Sequence, residues 1–120
     1  MSRPGRRGSR YANVRIVRED GHIFASHHEV KRYRELKLMQ RAGEIRGLQV
    51  HPRFYIEING VPVRYDTGRQ MAYEADFCYY RTDTGERIIE DVKMQSGHRT
   101  EVYKMKKALM RAMGNEIVEV

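Results

Sequence analysis

The sequence predicts one α+β domain in which two amphipathic helices bracket a run of antiparallel strands. Three observations predict it. Apolar residues recur at helical spacing between Ser26 and Gly43 and again from Glu101 to Met113. Between them, segments rich in Val, Ile and aromatic residues are punctuated by turn signals such as Asn59-Gly60 and Thr82-Asp83-Thr84-Gly85. At 120 residues with a single cysteine, the chain has room for one hydrophobic core and no intrachain disulfide to replace it.

Residues 1–11 carry Arg3, Arg6, Arg7 and Arg10 among Gly and Ser with no acid, and read as a flexible basic arm ahead of a domain spanning 12–120. Val14 and Ile16, a turn at Glu19-Asp20-Gly21, and Ile23-Phe24 predict a short hairpin. Ser26-His27-His28-Glu29 has the form of a capping box. Val30, Tyr33, Leu36 and Met39 then supply a helical stripe, with Gly43 as the stop. Residues 48–58 predict one or two strands interrupted near Pro52, followed by a turn at Asn59-Gly60 into Val61-Pro62-Val63. Residues 73–80 predict a strand and 87–93 its hairpin partner. A loop over 94–99 leads to the second helix, whose stripe is Val102, Met105, Leu109, Ala112 and Met113, and Gly114 precedes a closing strand over 117–120.

Twenty-three Lys and Arg against 16 Asp and Glu give a formal charge of +7, which favours a polyanionic partner, nucleic acid first. No apolar run approaches the length of a spanning helix and no apolar signal segment opens the chain, so the expectation is a cytoplasmic protein with no membrane partner. Cys78 lies in Phe77-Cys78-Tyr79-Tyr80 and reads as a packed strand residue, and a lone cysteine excludes a Cys-based structural zinc site.

Chemistry concentrates in the second hairpin. Strand alternation puts Asp91 and Lys93 on one face and Glu90 on the other, and hairpin pairing brings Asp76 toward Asp91. Two carboxylates beside one ammonium repel each other unless a divalent cation lies between them, and hard oxygen ligands suit Mg²⁺ or Mn²⁺. The backbone carbonyl of Val92 offers a further oxygen. Such an ion polarises a phosphodiester and lowers the pKa of bound water, while Lys93 positions or deprotonates the water.

An Asp on one strand, Asp-x-Lys on the next and then a helix resembles the PD-(D/E)XK nuclease superfamily, in the form Asp76 with Asp91-Val92-Lys93. More closely, the chain resembles small phage- and prophage-borne proteins, long of unknown function and assignable to that superfamily. The resemblance rests on residues 26–36, 73–80, 89–93 and 100–109. It implies a restriction-endonuclease-like core with a mixed four- or five-stranded sheet flanked by helices, a nuclease domain over 12–120, and cleavage of DNA with Mg²⁺. Carried over, Asp76 and Asp91 match the metal-binding acids, Lys93 the motif lysine, and Glu29 an acid on the first helix that completes the site. Ala75 stands where the superfamily name places Pro, and residues 94–99 replace the expected Gly and short link.

Plainer readings exist for each feature. Asp91 and Lys93 fit a solvated strand edge, although Ile88, Ile89 and Val92 imply a strand covered on both faces. The capping box alone accounts for Glu29. Lys104, Lys107 and Arg111, placed opposite the stripe of the second helix, fit either a phosphate grip or a solvated face. The arm arginines fit backbone or groove contacts or a solubilising tail. The five histidines show no fixed ligand spacing, so a zinc or histidine-metal site is not expected. The resulting expectation is a divalent-metal DNA endonuclease encoded by a phage or prophage in a bacterial host, acting on branched, Holliday-junction-like DNA as a homodimer. The alternatives are a nicking or restriction-type nuclease and an inactive basic DNA-binding accessory protein.

Overall fold

The computed structural model describes residues 16–93 and 99–120. The arm with Arg3, Arg6, Arg7 and Arg10, Val14 of the first hairpin, and residues 94–98 of the loop lie outside the described residues. Asp20 and Gly21 both take positive φ, as a two-residue hairpin turn requires, and join β1 (Val17–Glu19) to β2 (His22–Phe24). Helix α1 (His27–Arg41) follows, with Ser26 Oγ accepting from the Glu29 N–H at 3.2 Å. Its buried stripe is Val30, Tyr33 and Leu36, and Gly43 just past its end takes φ +82°.

The stretch expected as one or two strands contains three: β3 (Ile45–Val50), β4 (Arg53–Tyr55) and β5 (Glu57–Ile58). β6 (Val61–Pro62) and β7 (Ala72–Glu74) return from the Asn59-Gly60 turn, pairing β5 with β6 and β4 with β7. The strand expected over 73–80 is broken at Ala75-Asp76 into β7 and β8 (Phe77–Arg81), because the backbone at this point leaves one sheet and enters another. β9 ends at Asp91 rather than at Lys93, spanning Arg87–Asp91. Helix α2 (Glu101–Ala112), N-capped by Thr100, leads to β10 (Ile117–Glu119).

The central sheet runs β10-β9-β8-β3. β9 pairs antiparallel with β8 and parallel with β10, so it is a mixed four-stranded sheet. One apolar cluster lies on its α1 face, around Phe24, Leu36, Ile45, Phe77 and Tyr79. The other includes Cys78, Ile89, Met110 and Ile117, together with Ile56 and Tyr73 from the β4–β7 segment. Cys78 is buried among these, and burial pushes its thiol pKa up, as a packed core residue requires. β3 carries a bulge in which Gly47 and Leu48 together stand between the pairs Arg46–Tyr80 and Gln49–Cys78. Gly47 takes φ +67°, and a Cβ there would stand 3.3 Å from the Tyr80 ring. No helix among the described residues is long and apolar enough to cross a membrane.

Candidate metal centre

The ends of three strands and the first turn of α1 meet at one end of the sheet. The pairing of Phe77 with Glu90 continues by one residue to set Asp76 beside Asp91. The two residues are then tied by their side chains: the Asp76 N–H donates to Asp91 Oδ1 at 3.2 Å, and the Val92 N–H donates to Asp76 Oδ2 at 2.7 Å. The same Asp76 N–H reaches the Glu90 carbonyl at 3.1 Å. Val92 therefore enters the centre through its backbone.

His51 follows β3 with φ +54°, its N–H donating to the Asp76 carbonyl at 2.9 Å. Its Nε2 lies 3.8 Å from Glu29 Oε1. Glu29, His51 and Asp76 each present a ligand atom within 4.8 Å of the other two. Glu29 Oε1 also accepts from the Ala25 N–H at 3.4 Å, one residue ahead of the Ser26 N-cap whose N–H the capping box would use, so the Ser26 half of the expected box is present and the Glu29 side chain is turned toward this cluster. Sequence spacing offers no reason to join His51 to the two acids. The available signal is its place beside Pro52, where the alternating run of β3 is interrupted.

The electrostatics single out the same acids. Among the described residues, the carboxyls whose pKa values are raised are Glu29, Asp76 and Asp91. Burial is the first cause in each case. For Glu29 the charge of Asp76 adds to it, while the Val92 N–H and His51 partly offset it at Asp76. Asp91 is pushed up to about 6 by burial, opposed by Lys93 and by the Asp76 N–H. Asp91 is 4% exposed, and its Oδ2 is buried without a hydrogen-bond partner among the described residues. Tyr73 Oη is the other such side-chain atom among the described residues.

Lys93 places its ammonium 3.8 Å from the centroid of the Tyr103 ring. Its N–H donates to the Val120 carbonyl at 2.9 Å, which continues the β9–β10 pairing past the last strand residue. Tyr103 donates to Glu119 Oε2 at 2.6 Å, Lys107 approaches the same oxygen at 3.1 Å, and Arg99 forks onto the carboxylate. Arg99 first, then Tyr103, hold Glu119 well below the usual carboxylate range. Asp91 and Glu119 thus share a face of the sheet and differ in one respect: Glu119 has partners for its charge.

A family model for proteins of unknown function, DUF1064, matches residues 8–118. The chain belongs to the DUF1064 family. The matched span includes Glu29, His51, Asp76, Asp91 and Lys93. No curated protein matches the chain, and no solved structure matches it.

In this DUF1064 chain, α2 is turned relative to the expected stripe. Val102 and Met105 are 60% and 61% exposed and Met113 is also exposed, while Tyr103, Lys107 and Met110 face inward; of the expected stripe, Leu109 packs against the core. The tertiary partner decides this: Glu119 on β10 draws Tyr103 and Lys107 onto the sheet. Lys107 is therefore not on an outward phosphate-gripping face. Lys104 and Arg111 are exposed and approach Glu101 and Glu116 at 3.3 and 3.8 Å.

Proposed function

We propose that this DUF1064 protein is a divalent-metal-dependent DNA endonuclease whose reaction centre comprises Asp76, Asp91 and Lys93, completed by Glu29 and His51. One observation carries the reading: Asp91 is a buried carboxylate with one oxygen bonded and the other without a partner among the described residues. A buried carboxylate oxygen with no donor is costly, and a hard cation or a proton removes that cost. The donor set fits Mg²⁺ or Mn²⁺. Glu29, His51 and Asp76 present ligand atoms within 4.8 Å of one another; the Asp91 carboxylate, tied to the Asp76 N–H, and the Val92 carbonyl are proposed further oxygens, and the His51 imidazole favours Mn²⁺ over Mg²⁺. When bound, the ion supplies Lewis-acid polarisation of a phosphodiester oxygen and acidification of a water.

The chain's own groups supply the rest. Lys93, on the Asp91 face and steadied by the Tyr103 ring, positions or deprotonates the attacking water and offsets charge gathering on the phosphate. In hydrolysis the water oxygen bonds to phosphorus, one P–O ester bond breaks, and the departing oxygen takes up a proton. Asp76 is held by the Val92 N–H and braces the hairpin end against which the phosphate is placed. The formal charge of +7 supports a nucleic-acid substrate. Branched DNA cut by a homodimer, in phage recombination or replication, is the form we propose, since two symmetric cuts need two sites and each chain brings one.

The test is nicking of plasmid and four-way-junction DNA with Mg²⁺ or Mn²⁺. Wild type is expected to cut, and Asp91→Ala to lose at least about 10³-fold in rate, on the scale of removing a group that acts in the transition state. Asp91→Ala should still bind DNA in EDTA. A wild type that binds but never cuts with either ion makes the protein a DNA-binding accessory instead.

A further inference from the structure

The excursion between β3 and β8, residues 53–74, leaves and re-enters the fold at the candidate metal centre itself. β4 begins two residues after His51, and β7 ends two residues before Asp76. The base is closed by the His51 N–H to the Asp76 carbonyl at 2.9 Å and the Ala75 N–H to the Pro52 carbonyl at 3.1 Å. Above the base, β4 pairs with β7, backbone hydrogen bonds link Ile56, Val63 and Met71 to one another, and an isolated bridge joins Arg64 to Gln70. Ile56 and Tyr73 are buried against the cluster that includes Met110 of α2. The segment is thus a β-arm fixed at its root, not a loose loop.

Its polar side, with α2, walls a cleft of about 520 Å³. Arg53, Arg64, Arg69 and Lys106 line it, against one carboxylate, Glu74, which already pairs with Arg53 at 3.3 Å. Three cations remain in excess. Arg64 is anchored by a 2.9 Å bond to the Gly68 carbonyl, and Arg69 lies over the Tyr65 ring at 4.7 Å. Neither of these, nor Lys106, makes an ion pair among the described residues. Guanidinium groups held in place without a counter-charge are suited to phosphate oxygens.

We propose that this arm is a nucleic-acid docking surface whose cleft takes the phosphodiester backbone of a duplex running on from the candidate metal centre. The proposal rests on the nucleic-acid reading above and adds where the flanking backbone lies. Contacts to backbone fix register and orientation and carry no base sequence. The expected binding is therefore sequence-tolerant and salt-dependent.

The experiment measures binding of a labelled duplex and a labelled four-way junction by fluorescence anisotropy in EDTA, over a series of KCl concentrations. It compares wild type with the Arg64→Ala/Arg69→Ala/Lys106→Ala variant. Each phosphate that the protein no longer neutralises makes the slope of log K against log salt shallower by roughly 0.9, so the variant should bind at least about tenfold more weakly at low salt with a slope shallower by roughly 2–3. Arg64→Lys/Arg69→Lys should keep most of the slope, and Lys106→Glu, on a helix face that needs no arm packing, should weaken binding by itself. Equal affinity and slope for wild type and the variants overturn the proposal, as does a wild type that binds neither DNA. Cleavage plays no part in this readout. If wild type never cuts but the arm variants bind more weakly, the arm stands and the nuclease reading falls; if wild type cuts and the variants bind unchanged, the reverse holds.

Discussion

Glu90 and Asp91 are consecutive residues on β9, both nearly inaccessible to solvent, and they face opposite sides of the sheet. On the α1 side, Glu90 accepts two bonds from the Arg32 guanidinium, at 2.9 and 2.7 Å, and one from the Tyr79 hydroxyl. Every element of that charge is answered by the protein itself, and the phenol of Tyr79 is pushed up to about 12 by burial and by this contact. On the other side, Asp91 has one backbone donor and, among the described residues, one oxygen with no partner. Two buried acids a residue apart therefore show two states of the same chemistry: one closes a network, and the other keeps an oxygen that no group among the described residues answers. Burial by itself does not mark a functional acid; burial without internal compensation does.

The comparison can be broken by mutation. Glu90→Ala leaves Arg32 and Tyr79 without their acceptor, and since Arg32 retains 24% exposure and regains some water, the loss should be about 2–4 kcal/mol of stability. Urea unfolding measures it. A variant that keeps full stability would mean that Glu90 is not the structural member of the pair.

Asp91→Asn should act in the opposite sense when no metal is bound. Asp91 has a folded pKa of about 6, above its unfolded value of about 3.9. Its favourable contribution is therefore fully present below the unfolded value and is lost as pH rises through 6. Above that, the buried charge opposes folding by an amount on the order of 1–3 kcal/mol, and the amide relieves it. Thermal melts in EDTA are expected to show wild type gaining stability from pH 8 to pH 5, with a flatter profile and a higher Tm at pH 8 for Asp91→Asn. Parallel profiles for the two proteins would remove Asp91 as the uncompensated group.

The smallest effect sharpens the functional side of the comparison. His51→Ala removes the nitrogen donor from the Glu29 and Asp76 cluster while leaving both carboxylates. Calorimetric titration should show Mn²⁺ affinity falling on the order of tenfold with Mg²⁺ changing less, since imidazole contributes more to the softer ion. Equal losses for both ions would assign His51 to holding Glu29 in place.

Much of this arrangement is legible in residue order, and the reasons for success and failure are local. The Ser26 cap and the Val30, Tyr33 and Leu36 stripe follow from helix geometry alone. Asp76 could be set beside Asp91 because a two-stranded hairpin with a short turn has few registers. Residue spacing misplaced the buried face of α2, because Tyr103 and Lys107 are turned inward by Glu119, which belongs to a strand that pairs only after the helix has crossed over. It passed over His51 because that imidazole reaches Glu29 and Asp76 through a strand end, a pairing that no repeat distance encodes. The basic cleft was hidden for the same reason: Arg53, Arg64, Arg69 and Lys106 come from separate elements.

The Gly47 bulge has a consequence for chain editing. Strand residues alternate sides, so the surplus residue in β3 acts as a phase inverter for everything between it and Pro52. Deleting Leu48 would leave the net charge untouched and keep Gln49 opposite Cys78 and Val50 opposite Phe77, yet it would remove the bulge and the local bend by which β3 delivers the imidazole beyond them to its two acids. Length at this one point, rather than residue type, governs which groups gather at the sheet's end.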